Sequence, residues 1–442
     1  MDMTEGEIIP IFAKYSLPLL LGNAFQLLYS ITDSFIVGNY CGTQSLAAIG
    51  ASANIIFTIT GFFNGLAGGA GVLISHAYGA KDAGKLHTTA HTAIVASVFL
   101  GILLSVFGIC ISPLMLAMIA VPADIFAEAD SYLRVYFSGM TFILFYNMCA
   151  GILRSLGDSK HPLHVLVITV VLNVALDYIC ILVLRLGLNG AAWATVASEG
   201  ISALLLFPIL KKQLRSAACI PAGRQRPRCS LPVLHSVLRL GLPNALSNSL
   251  LNFSNTFMQR YINAFGASCM AGWSIYTRFD QLAILPMVSI SVAAMTFTGQ
   301  NYGAGKTDRV RRGIKSAVLL GIAVMLVISA VLIACAPKLI AVFNAEAEVV
   351  LYGAEFIRAS ASFYVICFCT MVVGQITQGL GFATVPTVII FMGFVVFRQA
   401  YLFLVTRITA ASLLVALAYP LSWPPTLVAE YLYLRSKLKK MR

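Results

Sequence analysis

The sequence predicts an all-α membrane protein, with twelve transmembrane helices in two pseudo-symmetric six-helix lobes around a central cavity. Three observations carry that reading. Only 11% of the residues are charged and 59% are of AVILMFWYC type, whereas an ordinary soluble domain carries roughly 25% charged residues. Uncharged runs such as "AIVASVFLGILLSVFGICI" and "SAVLLGIAVMLVISAVLIACA" last about 20 residues, enough for a helix to cross a ~30 Å hydrocarbon core. The second half of the chain also repeats the first at an offset of about 225 residues.

In order, the spans are expected at 11–36, 46–74, 92–112, 132–153, 163–184, 190–210, 242–262, 270–298, 316–335, 352–377, 385–405 and 411–433. The first ten residues carry Asp2, Glu5 and Glu7 and no Lys or Arg, unlike a cleaved signal peptide. In the first span, "LYSITDSFIVG" sets Asp33 in an otherwise apolar run. In the second, "GFFNGLAGGAG" puts Gly61, Gly65 and Gly69 on one helical face, a spacing that lets helices approach closely in lipid; a hinge is the alternative. The fifth, "VVLNVALDYICILV", buries Asp177 with Asn173 four residues before it. The sixth carries Thr195 and Glu199.

The segment "KKQLRSAACIPAGRQRPRCS" is basic, contains proline and is poor in apolar residues, so it reads as a linker. The chain therefore divides into an N-terminal lobe, 1–210, a cytoplasmic linker, 211–240, and a C-terminal lobe with a basic tail, 241–442. "LPVLHSVLRLG" is expected as a short interfacial helix or as loop. In span 8, "YTRFDQLAILP" carries Arg278, Asp280 and Gln281. Arg278 and Asp280 are two apart and do not share a helical face, so each needs its own partner, in an ion pair with another helix or in a cavity wall. Arg398 in span 11 is less informative, and Glu430 is expected at the membrane interface.

The net charge of +13 reports orientation rather than a nucleic-acid partner. Most of the basic residues fall in the loops on the side of the termini; Arg185, Lys338 and Arg407 are those in the opposite loops. By the positive-inside rule the basic side is cytoplasmic, which makes both termini cytoplasmic. All six histidines lie on that side too, so carboxylates are the candidates for carrying a proton through the bilayer. The ten cysteines form no CxxC pair and read as small hydrophobes.

The repeat is visible in its motifs. "SLPLLLGNAF" meets "GLPNALSNSL", "SHAYGAKDAGK" meets "GQNYGAGKTDR", and "RSLGDSKHP" meets "QGLGFATVP". An even number of spans per half makes the repeats parallel, related by an axis along the membrane normal.

The residues "YSITDSFIVG", "AYGAKD", "GILRSLGDSKHP", "LNVALDYICI" and "GLNGAAWATVASEGIS", in that order and spacing, resemble the multidrug and toxic compound extrusion (MATE) family in its bacterial DinF-like branch. The resemblance covers essentially the whole chain. It implies a two-lobed secondary antiporter of the bacterial inner membrane. Such a protein exports cationic, often aromatic small molecules in exchange for Na⁺ or H⁺. It also implies that the coupling ion is handled by Asp33, Asn173, Asp177 and Thr195. One departure stands out: "TQGLGFATVP" lacks the Arg and Asp of its first-half counterpart, and with them a charge pair that would steady the second turn.

The residues by themselves point the same way. Ionisable groups at membrane depth face a bundle interior or an aqueous cavity and mark ion or substrate paths. Tyr29 and Asp33, Asn173 and Asp177, and Thr195 and Glu199 are each four apart, so each pair shares a helical face. Two carboxylates, an amide carbonyl and a hydroxyl suit a hard cation such as Na⁺. They equally suit protons, because burial and a nearby like charge both favour the neutral acid. Helix packing by hydrogen bonds is the plainer alternative.

At the aligned positions the second half carries Met258, Phe397, Tyr401, Tyr419 and Trp423. Sulfur and aromatic faces there suggest an adaptable wall that attracts organic cations; for each of them, plain packing in the core or against lipid is the alternative. Candidate contacts for the cargo are Gln26, Tyr29, Glu199, Asp280, Gln281, Met258 and Tyr401. The expected partners are small molecules and membrane lipids, with no nucleic acid, no cofactor beyond the coupling ion, and a monomeric state. A flippase for lipid-linked precursors would need a basic cluster opposite the acids, and a non-transporting binding protein would not need the repeat. No HExxH, nucleophile elbow or span-located His–carboxylate group argues for an enzyme.

Overall fold

A computed structural model describes residues 1–119, 121–217, 229–408 and 411–441; within its helices the side chains of residues 54, 248, 251–253, 256 and 257 are not described. Among the described residues there is no strand. The first half comprises α1 (Ile8–Tyr40), α2 (Thr43–Gly79), α3 (Ala83–Met118), α4 (Ala123–Ser138), α5 (Met140–Ser155), α6 (Lys160–Tyr178) and α7 (Leu188–Ala217). The second comprises α8 (Leu231–Asn263), α9 (Ala267–Gly303), α10 (Thr307–Ala341), α11 (Ala347–Ala361), α12 (Tyr364–Gly379), α13 (Thr384–Phe391), α14 (Arg398–Ile408), α15 (Ser412–Ala416) and α16 (Ala418–Lys440). Among the described residues, nine continuous helical segments are long and apolar enough to cross a membrane. The bent pairs α4/α5 and α11/α12 bring that to eleven. The twelfth expected span is α8. It has the length, at 33 residues, but its interior carries Arg239 and a run of Ser and Asn that lower its apolarity.

The repeat in sequence is a repeat in geometry. α1 and α8 each have 33 residues, and α2 and α9 each have 37. α4/α5 bend by 50° and α11/α12 by 47°. Gly42 and Gly266 take φ of 93° and 90°, and Gly157 and Gly381 take 83° and 91°. Only glycine enters that region freely, which explains why glycine recurs at both turns.

The chain forms two compact units, and their bounds exchange two segments relative to the expected lobes. One contains residues 1–2 and 21–245, the other residues 3–20 and 246–442. The start of α1 packs into the second unit: Phe12 and Tyr15, each 1% exposed, join a core with Phe297 and Phe368. The start of α8 packs into the first, where Val237 joins Leu206 and Leu210. "LPVLHSVLRLG" is thus neither an interfacial helix nor a loop but the opening of the long α8, held by α2. A Cβ on Gly69 would stand 2.3 Å from the backbone nitrogen of Gly241, and one on Gly65 2.3 Å from that of Ala245. Close packing is what this glycine face does at Gly65 and Gly69. Residues 218–228 of the expected linker lie outside the described residues.

At the "SLGDSKHP" turn, Asp158 accepts from the backbone nitrogens of Lys160 and His161, both at 3.2 Å. Its other oxygen lies 2.6 Å from the His161 ring. The turn is held by this cap and this His–Asp contact. "GFATVP" offers no equivalent side chain in the second half.

Candidate ion-coupling site

α6 presents one buried stripe. Val165, Thr169, Asn173 and Asp177 are all at most 6% exposed, because four-residue spacing keeps them on one face. Thr169 hydrogen-bonds Ser202 of α7. The next two members lack such partners. Asn173 and Asp177 are 0% exposed. Neither polar atom of the Asn173 amide and neither oxygen of the Asp177 carboxylate has a hydrogen-bond partner among the described residues. Directly after Asp177 the helix widens into a π turn, Ile179–Val183, an irregularity that recurs at functional sites.

α1 and α7 complete the group. The Thr195 hydroxyl lies 3.1 Å from that of Tyr29. Asp33 and Glu199 are half-buried, and each has one enclosed oxygen, Oδ1 and Oε2, without a partner among the described residues. Asp33 acts electrostatically on Asp177, and Tyr29 is within range of both Asp33 and Glu199. Electrostatic range and the Tyr29–Thr195 contact therefore link Asp33, Asp177, Thr195 and Glu199 of spans 1, 5 and 6 into a loose acidic cluster.

Sequence reasoning missed two members. Tyr132 and Tyr136 of α4 are 4% and 9% exposed, their rings 6.5 Å apart. Tyr132 is within electrostatic range of Asp33 and Asp177, and Tyr136 of Glu199 and Asp33. The signal was present, since the pair in "SYLRVYFS" has the same four-residue spacing.

A buried carboxylate without a donor is unstable as a bare anion. It calls for a proton or a cation. The donor set fits either, with carboxylate oxygens from Asp33 and Asp177, the Asn173 amide oxygen and the Thr195 hydroxyl. No group of three or more His, Cys, Asp or Glu converges as a metal site among the described residues. A cation here would thus rely on the amide and the hydroxyl as well as the two acids.

The candidates of the second unit fare unevenly. Asp280 has no ion pair among the described residues; its Oδ1 accepts from Tyr364 at 2.7 Å and from Tyr276 at 3.4 Å. Arg278 is exposed, 5.9 Å from the Phe343 ring centroid. Gln281 is exposed, as is Gln26 in the first unit. Tyr401 is half-buried and donates to the Leu414 carbonyl at 3.0 Å. Met258 is 0% exposed in an apolar cluster with Ile262 and Trp273. Its side chain is core packing, because this face of α8 turns inward.

Glu430 is a correction. Ser422, Thr426, Glu430 and Leu434 form a stripe on α16 that is at most 3% exposed. Glu430 is therefore enclosed rather than interfacial, and neither of its carboxylate oxygens has a partner among the described residues.

Two copies of one multi-pass helical unit, with unpartnered acids at membrane depth in the first, define a membrane carrier of repeated architecture. The MatE family model matches residues 18–179 and again 243–404. The two matches are offset by 225 residues, the offset of the internal repeat, and the chain belongs to this family. It is 29% identical over 402 residues to the probable multidrug resistance protein YpnP of Bacillus subtilis, covering 90% of this chain and 89% of that one. It is 25% identical over 349 residues to the probable multidrug resistance protein NorM of Thermotoga maritima, covering 76% and 72%. Among solved structures, a MATE protein in the straight conformation superposes with a TM-score of 0.91 at 23% identity, covering 100% of this chain and 98% of that one. The bent conformation gives 0.91 at 23% identity, covering 99% and 97%.

Proposed function

We propose that this protein is a secondary antiporter that exports organic cations, often aromatic, in exchange for Na⁺ or H⁺ by alternating access of its two lobes. The names of its relatives support multidrug export, and the acidic cluster supports ion coupling. One observation carries the coupling: Asn173 and Asp177, one turn apart and wholly enclosed, leave every polar side-chain atom without a partner among the described residues. Groups that only glue helices would be paired with each other or with a neighbour, as Thr169 and Ser202 are. Asp33, Asn173, Asp177 and Thr195 are the residues proposed to take the coupling ion. Basic loops on the side of the termini support a bacterial inner-membrane protein with both ends in the cytoplasm.

The test is transport of a fluorescent organic cation in proteoliposomes with pH and Na⁺ gradients imposed separately. One of the two gradients is expected to drive accumulation against the dye's own gradient. Transport indifferent to both would overturn ion coupling.

A further inference from the structure

The second unit holds a buried charge that ion coupling in the first does not use. Arg398 opens α14, within the candidate span Thr384–Ile408, directly after a π-helical segment, Met392–Phe397. It is 2% exposed. No carboxylate lies within ion-pair distance of it among the described residues, and its Nε has no hydrogen-bond partner there. Its guanidinium lies 4.2 Å from the Tyr419 ring centroid and 5.4 Å from that of Phe394. A guanidinium at membrane depth is costly and usually marks a ligand or a partner.

The hydrogen bonds it does make indicate which ligand. Arg398 Nη1 donates to Asn255 Oδ1 at 3.1 Å, and the Tyr419 hydroxyl donates to the same oxygen at 2.9 Å. Nη2 reaches the Ser422 hydroxyl at 3.5 Å. Two donors thus converge on one oxygen, and that oxygen belongs to an exposed side chain. A neutral amide oxygen sits where a carboxylate oxygen would form a stronger, charge-assisted pair. Asp280 lies within electrostatic range of both Arg398 and Tyr419 and supplies the opposite charge.

We infer that Arg398 and Tyr419 form a carboxylate-binding subsite of the second unit, with Asn255 as its placeholder, so that a carboxylate on the cargo is held there. This deepens the proposed export function and rests on it, but its test is equilibrium binding, so either can fail alone.

The probes are rhodamine 110, which has a free carboxylate on a cationic ring system, and rhodamine 123, its methyl ester. Binding to the purified full chain is followed by fluorescence anisotropy. The wild type should bind both dyes, and benzoate should displace rhodamine 110 while leaving rhodamine 123 bound. Arg398→Gln should weaken rhodamine 110 by about 10- to 100-fold, the scale of one lost hydrogen bond to a charged group, and leave rhodamine 123 nearly unchanged. Asn255→Ala should tighten rhodamine 110 by freeing both donors. Equal losses for the two dyes would make Arg398 a structural residue and overturn the subsite. Absent binding of rhodamine 110 to the wild type would do the same. If Arg398→Gln does not fold, the benzoate and Asn255→Ala arms decide: no displacement and no tightening sink the proposal.

Discussion

At the scale of single residues, two enclosed carboxylates with unpartnered oxygens lead to opposite expectations. Asp177 lies beside Asn173 and within range of Asp33. Asp177→Asn keeps the shape and removes the charge and the titratable proton. The substitution should reduce ion-coupled efflux to background while expression and melting temperature stay near wild type. Dye accumulation in cells with matched expression measures the first, and wild-type efflux would show that the carboxylate only packs helices. Glu430 has no such company. The aligned residue in the first half is Leu206, 0% exposed, and an apolar residue at such a site carries none of the cost of taking a charge out of water. Glu430→Leu should therefore raise the melting temperature and leave dye efflux intact. A stabilised protein that no longer transports would instead give Glu430 a part in the ion cycle.

At the scale of elements, the α2–α8 contact depends on the absence of side chains. A Cβ on Gly69 would overlap the Gly241 backbone, whereas one on Gly50 of the same helix would meet nothing within 4 Å. Gly69→Val should cost ~3 kcal/mol or more as overpacking against backbone that cannot yield, read as loss of monodisperse protein in size-exclusion chromatography. Gly50→Ala should be neutral. Equal tolerance of both would refute close packing as the role of the glycine face. That face was legible from spacing alone, as were the helices, because the apolar runs fix length and the repeat checks each boundary twice. The stripe through Asn173 and Asp177 was legible for the same reason. The exchanged ends of α1 and α8 were not, since hydropathy says how long a helix is but not which bundle each half joins. Arg398 was passed over because its meaning depends on Asn255 and Tyr419, 143 residues before it and 21 after it in the chain, which only folding brings together.

For the whole molecule, topology comes before mechanism. Seven basic residues and no acidic ones fall between positions 211 and 239, so a variant retaining only Cys229, which is exposed, should react with an impermeant thiol reagent in inside-out vesicles and not in intact cells. The reverse labelling would invert the direction assigned to transport. Given that direction, exchange follows if cargo and coupling ion compete for one negative charge. Asp33 acts electrostatically on Asp177, and Tyr29 lies within range of both Asp33 and Glu199. An ion that neutralises this cluster weakens its hold on an organic cation, and a bound cation in turn disfavours the ion. Thermodynamic linkage makes the two effects equal, about 5- to 150-fold for a typical coupling of ~1–3 kcal/mol. Equilibrium binding of rhodamine 123 to purified protein, across pH and at several Na⁺ concentrations, measures the coupling directly. Affinity should fall as pH drops, as Na⁺ rises, or under both, and the dependence should vanish in the double variant Asp33→Asn/Asp177→Asn. Because rhodamine 123 lacks a free carboxylate, the result is independent of Arg398. Affinity unmoved by either ion would exclude direct competition and leave coupling to a conformational change between separate sites.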